Sequence, residues 1–433
     1  MSDRTTSDPP AAALTAARPW RGLWLWLAGG VALVALPLVP GLNSGFGHSM
    51  LSQMAIAAIL ALSYNMLLGH TGLLSFGHAV YFGLGGYVAI HVLRAINGGL
   101  PIPVVFLPVF GGLGGLAFAA LFGSFTTRRA GTVFAMITLG MGELVVAASL
   151  TLTTFFGGEE GVTANRTKGP LLFGMNLAPQ LQVYYVIAAW FALSVVAMYA
   201  FTRTPLGRIC NAVRDNPERA EFIGYNPTRV RFIAFMMSGL FAGIAGGLHA
   251  INYEIVAAES LSAVRSGAVL LMTYIGGIGH FFGPVAGAVV ITWLQVSLSD
   301  YTAAWQLYFG AFFILTVMFA PGGLTGLILM HAPLVRAGTL HRVLPAYLLA
   351  LVPGTVLVCG CVFLLEISYR LATKPELGRV LKLFGTTIDT TQAWPWLLAA
   401  VLIGGGFAAF RKTWPLVAGA WREALPEPPE GLR

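Results

Sequence analysis

The sequence predicts an all-α, polytopic membrane protein, and three observations predict it. Of the 433 residues, 57% are hydrophobic and only 10% are charged, against about 25% charged in ordinary soluble domains. Apolar runs recur along nearly the whole length, each near the roughly 20 residues that a spanning helix needs. The runs do not alternate apolar with polar as the strands of a membrane barrel do. Length alone would allow two or three soluble domains; this composition overrides that.

Taken in order, the chain opens on a polar, Pro/Ala-rich tail, residues 1–22. It lacks the layout of a cleaved signal peptide, so a cytoplasmic tail and an uncleaved first helix are expected. Six apolar segments follow: Leu23–Val39, Met50–Leu68, Leu73–Leu93, Val104–Phe125, Val133–Phe155 and Val183–Phe201. After a polar loop come Phe232–Ile251, Ala268–Ile278, Val285–Val296, Leu307–Ala320, Leu344–Leu365 and Trp394–Phe410. The expectation is therefore about ten to twelve transmembrane or re-entrant helices.

The polar loop, Thr202–Arg231, is the exception in an oily chain. It carries Arg203, Arg208, Arg214, Arg219, Arg229 and Arg231 against Asp215, Glu218 and Glu221. It also carries three helix-start pairs, Thr204-Pro205, Asn216-Pro217 and Asn226-Pro227. A capping side chain followed by Pro satisfies a free N–H and pre-sets φ. Asn216-Pro217 starts a helix of about two turns, which Gly224 can end in the left-handed conformation.

Arg and Lys collect in cytoplasmic loops, which explains the formal charge of +8 without nucleic acid. The same bias puts the N-terminal tail, Arg128-Arg129, Thr202–Arg231, Arg336, Arg342 and Arg411-Lys412 inside. The segments around Glu159-Glu160 and Glu254/Glu259 then fall outside. Residues 367–392 object: they hold Arg370, Lys374, Arg379 and Lys382, yet the count places them outside. Either the last two spans are misread or the bias fails there.

Two glycine-rich stretches, Gly69–Gly86 and Tyr274–Gly287, allow two readings. Small residues let helices approach closely in lipid. Gly/Pro interruptions in two halves of a transporter also mark broken helices along a passage.

Four places together resemble the LivM-type membrane subunit of branched-chain amino-acid ABC importers. They are Gly72–Ala89 (GLLSFGHAVYFGLGGYVA), Arg129–Val145 (RAGTVFAMITLGMGELV), Thr204–Gly247, and Gly276–Gly287 with Pro321–Gly326 (PGGLTG). The resemblance covers roughly residues 45–330. It implies the ABC importer permease fold, with a core at 23–330, a coupling loop at 202–231 and an additional C-terminal extension at 331–433 bearing two candidate spans. It implies that Glu218, Ala220 and Gly224 match the family's "EAA…G" loop. Arg214, Asn216, Pro217, Arg219, Phe222, Ile223 and Tyr225 would then complete the ATPase-coupling surface, with Arg214 and Arg219 flanking the apolar side chains. It also implies partners: a homologous LivH-type permease, two ATP-binding-cassette subunits, a substrate-binding protein and the lipid of a bacterial cytoplasmic membrane. No G-x-x-x-x-G-K-[ST] phosphate cradle occurs in the chain, so ATP would be used by the partners and no cofactor by this subunit.

Passage candidates are Gly77, His78, Gly83, Glu143, Gly276, Gly279 and His280. Glu143 is an ionisable residue at membrane depth, which either lines the passage or ties two helices together. His78 and His280 follow glycine breaks and could bond freed backbone carbonyls; ligands for a metal do not converge around them. Glu159, Glu160 and Arg166 lie on the segment expected to receive a binding protein, or they form a plain turn. Arg265 is expected to pair at the surface with Glu254 or Glu259, or else to contact the delivering protein. A secondary transporter would need several coupled charges within its spans. A membrane-embedded enzyme would need a nucleophile–base set, and neither H-E-x-x-H nor G-x-S-x-G is present. The function that follows is a permease subunit with no covalent chemistry of its own.

Overall fold

A computed structural model describes residues 19–170, 174, 176–373, 380–383, 386–389 and 392–425. Each of the twelve apolar segments contains a helix. Seven helices precede the polar loop: α1 (Pro19–Ala35), α2 (Gly45–Thr71), α3 (Ala79–Asn97), α4 (Leu107–Thr126), α5 (Gly131–Thr151), the single turn α6 (Thr153–Phe156) and α7 (Gln180–Arg203). The loop itself holds α8 (Pro205–Asp215) and α9 (Pro217–Phe222). Then come α10 (Pro227–Tyr253), α11 (Ala263–Gly276), α12 (Gly283–Tyr301), α13 (Trp305–Phe319), α14 (Gly323–Met330), α15 (Ala332–Arg336), α16 (Leu340–Thr373) and α17 (Ala393–Ala424). The strands are two short antiparallel ladders: β1 (Val162–Thr163) pairs with β2 (Ile255–Val256), and β3 (Val380–Leu383) with β4 (Thr386–Asp389).

Among the described residues, eight helices are long and apolar enough to cross a membrane. A ninth is counted if the stretch from α13 to α15, bent by 46°, is one span. The other apolar segments are shorter or less apolar; α11 has only 14 residues. The chain is thus a multi-pass, all-α membrane protein, and part of its expected spans are interrupted.

α2 is the axis of the bundle. Tyr64, Ile59, Leu62, Met66 and Leu67 on it are all fully enclosed, so it is apolar around its whole circumference, as a central helix must be. α4 and α10 press together through glycine. A Cβ on Gly243 would fall 2.2 Å from the Gly111 carbonyl oxygen and 2.9 Å from the Gly115 Cα. Such small-residue seams replace the hydrophobic effect, which lipid cannot supply between helices.

Two ends can be defined. The polar-loop end carries α8 and α9, and the hairpin end carries β1 and β2. α2 finishes at the polar-loop end, where Gly72, in the left-handed region with φ 70, caps it. The next six residues are not helical, and α3 starts only at Ala79. His78 bonds Ser63, which lies eight residues before Thr71 on α2. At 1.5 Å per residue, α3 therefore begins about 12 Å into the bundle. It then runs to the hairpin end, where the Asn97 amide donates to the Asn165 and Lys168 carbonyls.

A second break mirrors it. After β2, a tight turn at Ala258–Leu261 dips inward against Gly83. There Ser262 caps α11 by accepting from the Arg265 N–H at 3.3 Å. α11 runs the opposite way, toward the polar-loop end, where Ile278 lies against Gly69. The two helix starts meet inside the bundle: the Ala79 N–H donates to Ser266 Oγ at 3.0 Å.

α16 and α17 form a hairpin on the outside of this core. Tyr308 donates to Glu366 Oε1 at 2.7 Å, and Tyr369 donates to the Ala303 carbonyl at 3.3 Å. The last two spans are therefore real helices. Ala303 lies in the α12–α13 connection at the hairpin end, so Arg370 is placed there too, and the Arg/Lys bias fails at this segment. Lys374 and Arg379 lie outside the described residues, as do residues 1–18 of the tail, which include Arg4 and Arg18.

Candidate functional site

The polar loop is built as three capped helices in succession. Thr204 Oγ1 accepts from the Gly207 N–H at 3.1 Å, Asn216 Oδ1 from the Arg219 N–H at 2.9 Å, and Asn226 Oδ1 from the Arg229 N–H at 3.1 Å. Each cap is followed by proline, so α8, α9 and α10 all start where the three side-chain–Pro pairs stand. Gly224 closes α9 with φ 90; its N–H donates to the Glu221 carbonyl, and that of Tyr225 to the Ala220 carbonyl.

The loop has its own small core. Cys210, Val213, Ala220, Val230 and Ala234 pack together. Burial pushes the Cys210 thiol up to about 11. With Ala220 turned inward, the apolar residues of the α9 end turn outward: Phe222 is 90% exposed, Ile223 66% and Tyr225 44%. Glu218, Glu221 and Arg219 are exposed beside them, and Pro217 and Asn216 are partly covered. A large apolar side chain held outward by a rigid, capped turn cannot be a consequence of core packing.

Arg214 does not flank this surface in the way expected. Its guanidinium donates to the Gly69 carbonyl and pairs with Asp215 at 2.9 Å, while its stem lies on Gly72. His70 Nδ1 and Asn211 Oδ1 add a second link at 3.0 Å. α8 is thus bolted to the end of α2, at the glycine break. Sequence reasoning missed Asn211 and His70, which lie 141 residues apart.

The break itself gathers Gly77, His78 and Gly83. A Cβ on Gly77 would meet the Thr138 carbonyl of α5 at 2.2 Å, and one on Gly83 would meet Leu261 at 2.4 Å. Glycine is needed at both for close approach. His78 is 1% exposed and does not reach a freed carbonyl. Its Nε2 meets Ser63 Oγ at 2.9 Å, and because Ser63 donates to the Leu60 carbonyl, Nε2 is the donor. Glu143 follows Gly142, whose position adjoins the Gly77 Cα. Its side chain is exposed on α5 and makes no hydrogen bond or ion pair among the described residues, so it does not tie two helices of this subunit together.

The second stretch divides. Gly276 is locked against Gly283 and Gly287, its Cβ position 2.1 Å from the Gly283 carbonyl oxygen. Gly279 and His280 lie instead in an exposed turn, and the His280 side chain has no hydrogen-bond partner among the described residues. At the hairpin end, Glu159 and Glu160 are exposed. Arg166 is not a free contact. Its guanidinium donates to the Leu177, Ile251 and Asn252 carbonyls and to Gln180 Oε1, and its N–H donates to Glu254 Oε1 at 2.7 Å. It clips the outer hairpin to α7 and α10. Glu254 is thereby engaged, and the expected Arg265–Glu254 or Arg265–Glu259 ion pair does not form within 4 Å. Among the described residues, no three His, Cys, Asp or Glu side chains gather to hold a metal.

A multi-pass helical bundle with internal helix breaks and a rigid polar loop defines a membrane transport component. The chain belongs to the family described as "Branched-chain amino acid transport system / permease component", whose model matches residues 48–321. It is 28% identical over 292 residues to the high-affinity branched-chain amino acid transport system permease protein LivM of Salmonella typhimurium, covering 62% of this chain and 67% of that one. It is 26% identical over 314 residues to the probable branched-chain amino acid transport permease protein LivH of Methanocaldococcus jannaschii, covering 67% and 96%. It is also 27% identical over 264 residues to the fructose import permease protein FrcC of Rhizobium meliloti, covering 56% and 67%. No solved structure matches the chain. The protein is therefore a permease subunit, a transport component and not an enzyme.

Proposed function

We propose that this subunit forms half of the membrane passage of an ATP-driven importer in a bacterial cytoplasmic membrane, with its N-terminus inside. A LivH-type permease would supply the other half, two separate ATPase subunits the energy, and a soluble binding protein the substrate. ATP would act only on the partners, and this chain would bind no cofactor. The substrates would be branched-chain amino acids, by similarity to the LivM relatives.

One observation carries the reading: Phe222, exposed at 90% on a capped helix whose neighbour α8 is tied to α2. Phe222, Ile223 and Tyr225 would seat in an ATPase cleft, with Glu218, Arg219 and Glu221 at its rim. Motion of the ATPases would pass through α8 to the Gly69–Gly72 junction, and from there to the α2–α3 break. Gly77, His78, Gly83 and Glu143 would lie along the passage. Glu159 and Glu160 would meet the binding protein. The core would run from 23 to 330, with the loop 202–231 as its coupling element and residues 331–433 as an accessory piece beyond it.

The test is co-purification. Phe222→Asp should insert normally and lose its ATPase partners, because a charge would enter an apolar cleft. Retention of the ATPase by that variant removes the carrying observation. Uptake by the chain alone, driven by an ion gradient without ATP, would establish a secondary transporter instead.

A further inference from the structure

The least accommodated charge in the bundle is Arg265. It lies in the first turn of α11, where the helix dipole is already positive and a cation is disfavoured. The next residue, Ser266, receives the Ala79 N–H of the second inward helix start, so two positive helix ends converge beside it. Arg265 is partly buried, and its guanidinium lies 4.9 Å over the Phe82 ring. Among the described residues that guanidinium makes no hydrogen bond and meets no carboxylate within 4 Å. Glu254, one of its two expected partners, is engaged by the Arg166 N–H. The other, Glu259, is exposed and felt only at longer range, as is Tyr253.

The surroundings fit a ligand. Phe82 stacks toward His249 at 5.2 Å, and His249 toward Tyr253 at 4.5 Å. His249 Nδ1 is buried with no hydrogen-bond partner. Tyr253 also lines a shallow, open depression at the hairpin end, with Thr163, Asn165 and Glu254. Tyr253 therefore stands between that depression and the His249 ring. The helix-start N–H groups are already taken by Ser262 and Ser266. The available donors are those of the guanidinium, whose planar fork matches a carboxylate.

We propose that Arg265, with Phe82, His249 and Tyr253 as its walls, is a binding station for the carboxylate of the transported solute, reached past Tyr253 from the hairpin end. This rests on the importer reading and adds to it the residue that would hold one part of the transported amino acid, its carboxylate. An ionisable residue at membrane depth that makes no hydrogen bond or ion pair is a functional-site candidate by default.

Two measurements on the assembled importer test it. In nanodiscs, phenylglyoxal modification is followed by mass spectrometry at Arg265 with L-leucine, leucinamide or nothing added. L-leucine should slow the modification several-fold, and leucinamide, which lacks the carboxylate, should not. In proteoliposomes, Arg265→Met keeps a stem over Phe82 and should lower ATP-dependent leucine uptake roughly tenfold or more, the loss expected for a charged hydrogen bond. Arg265→Lys should fall between Met and wild type. Equal protection by both compounds, or unchanged uptake by Arg265→Met at equal membrane level, overturns the proposal. Wild-type uptake of urea or fructose but not leucine also overturns it while leaving the importer reading intact. Specific protection by leucine without any ATP-dependent uptake would support the station and sink the importer reading.

Discussion

Gly224 is the point where the proposed coupling surface is most exposed to a single substitution. Its φ of 90 lies where only glycine rests without strain, and its N–H closes α9 on the Glu221 carbonyl at 2.9 Å. Proline would force φ to about −65° and delete that hydrogen bond, at a cost of about 3 kcal/mol or more. Each 1.4 kcal/mol is about a factor of ten, so the observed turn would fall to a population near one in a hundred. Alanine keeps the N–H, and its Cβ would meet nothing within 4 Å. It incurs only the left-handed strain, about 1–2 kcal/mol. The α10 start beyond it has its own Asn226 cap, so the spans should insert in both variants. ATP hydrolysis and substrate uptake are then measured together in proteoliposomes of the assembled importer. Gly224→Pro should hydrolyse ATP at the rate seen without coupling and lose nearly all uptake, with Gly224→Ala between it and wild type. Normal uptake by Gly224→Pro would refute the reasoning, because the turn that presents Phe222 and Tyr225 would then be dispensable.

Three further outcomes follow from the geometry. His70→Ala removes the 3.0 Å link to Asn211 and should reduce uptake per ATP hydrolysed without lowering ATPase binding; an unchanged ratio would show that the link does not transmit motion. With Cys359 and Cys361 replaced by Ser, maleimide labelling of Cys210 near neutral pH should be roughly 300-fold slower than that of an ordinary thiol of pKa near 8.5. Its thiol is pushed up to about 11, so its rate should still be rising through pH 10, and a plateau near pH 9 would contradict the burial. Gly243→Ala drives a Cβ to 2.2 Å from the Gly111 carbonyl oxygen and should destabilise the bundle by about 1–3 kcal/mol. It would be read as a lower Tm in detergent, while Gly140→Ala, open to 4 Å, should leave Tm unchanged.

Much of the fold was legible because membrane helices announce themselves by composition. All twelve apolar segments contain helices, and the three cap–Pro pairs start α8, α9 and α10. What composition hides is depth. Nothing in the run after Leu73 shows that helix begins only at Ala79, because a broken span and a continuous one bury the same apolar residues. The site was legible where the signal was local. Asn216, Pro217 and Gly224 define α9 from within nine residues. It was illegible where partners are remote. Arg166 reads as a charged surface residue, yet Ile251 and Asn252 of α10 and Gln180 of α7 hold it. Arg214 reads as part of a rim, yet Gly69 holds it. Arg265 reads as half of a surface pair, yet one candidate partner is engaged elsewhere.

Two features stand out among the described residues, an outward Phe222 and an Arg265 guanidinium with no hydrogen bond or ion pair, and they lie at opposite ends of the same set of connections. α8 is tied to α2 at Gly69 and His70. α2 holds α3 in place through Ser63 and His78, and α3 carries Phe82, which lies under Arg265. α2 is enclosed by the bundle along most of its length and cannot bend freely, since a packed interior shifts as a body. A displacement of α8 must therefore either break the His70 and Arg214 links or move α2 and the start of α3 with it. In the second case the α3 start moves relative to α11, because the hydrogen bond from Ala79 to Ser266 is the join between them. Ser266→Ala separates the alternatives. If that join transmits the motion, the variant should keep ATPase binding and hydrolysis yet lose most uptake. If uptake persists, the motion reaches α11 without the α3 start, for instance through the direct bond from Thr273 Oγ1 to the Ala61 carbonyl of α2, and the route through the α3 start is wrong.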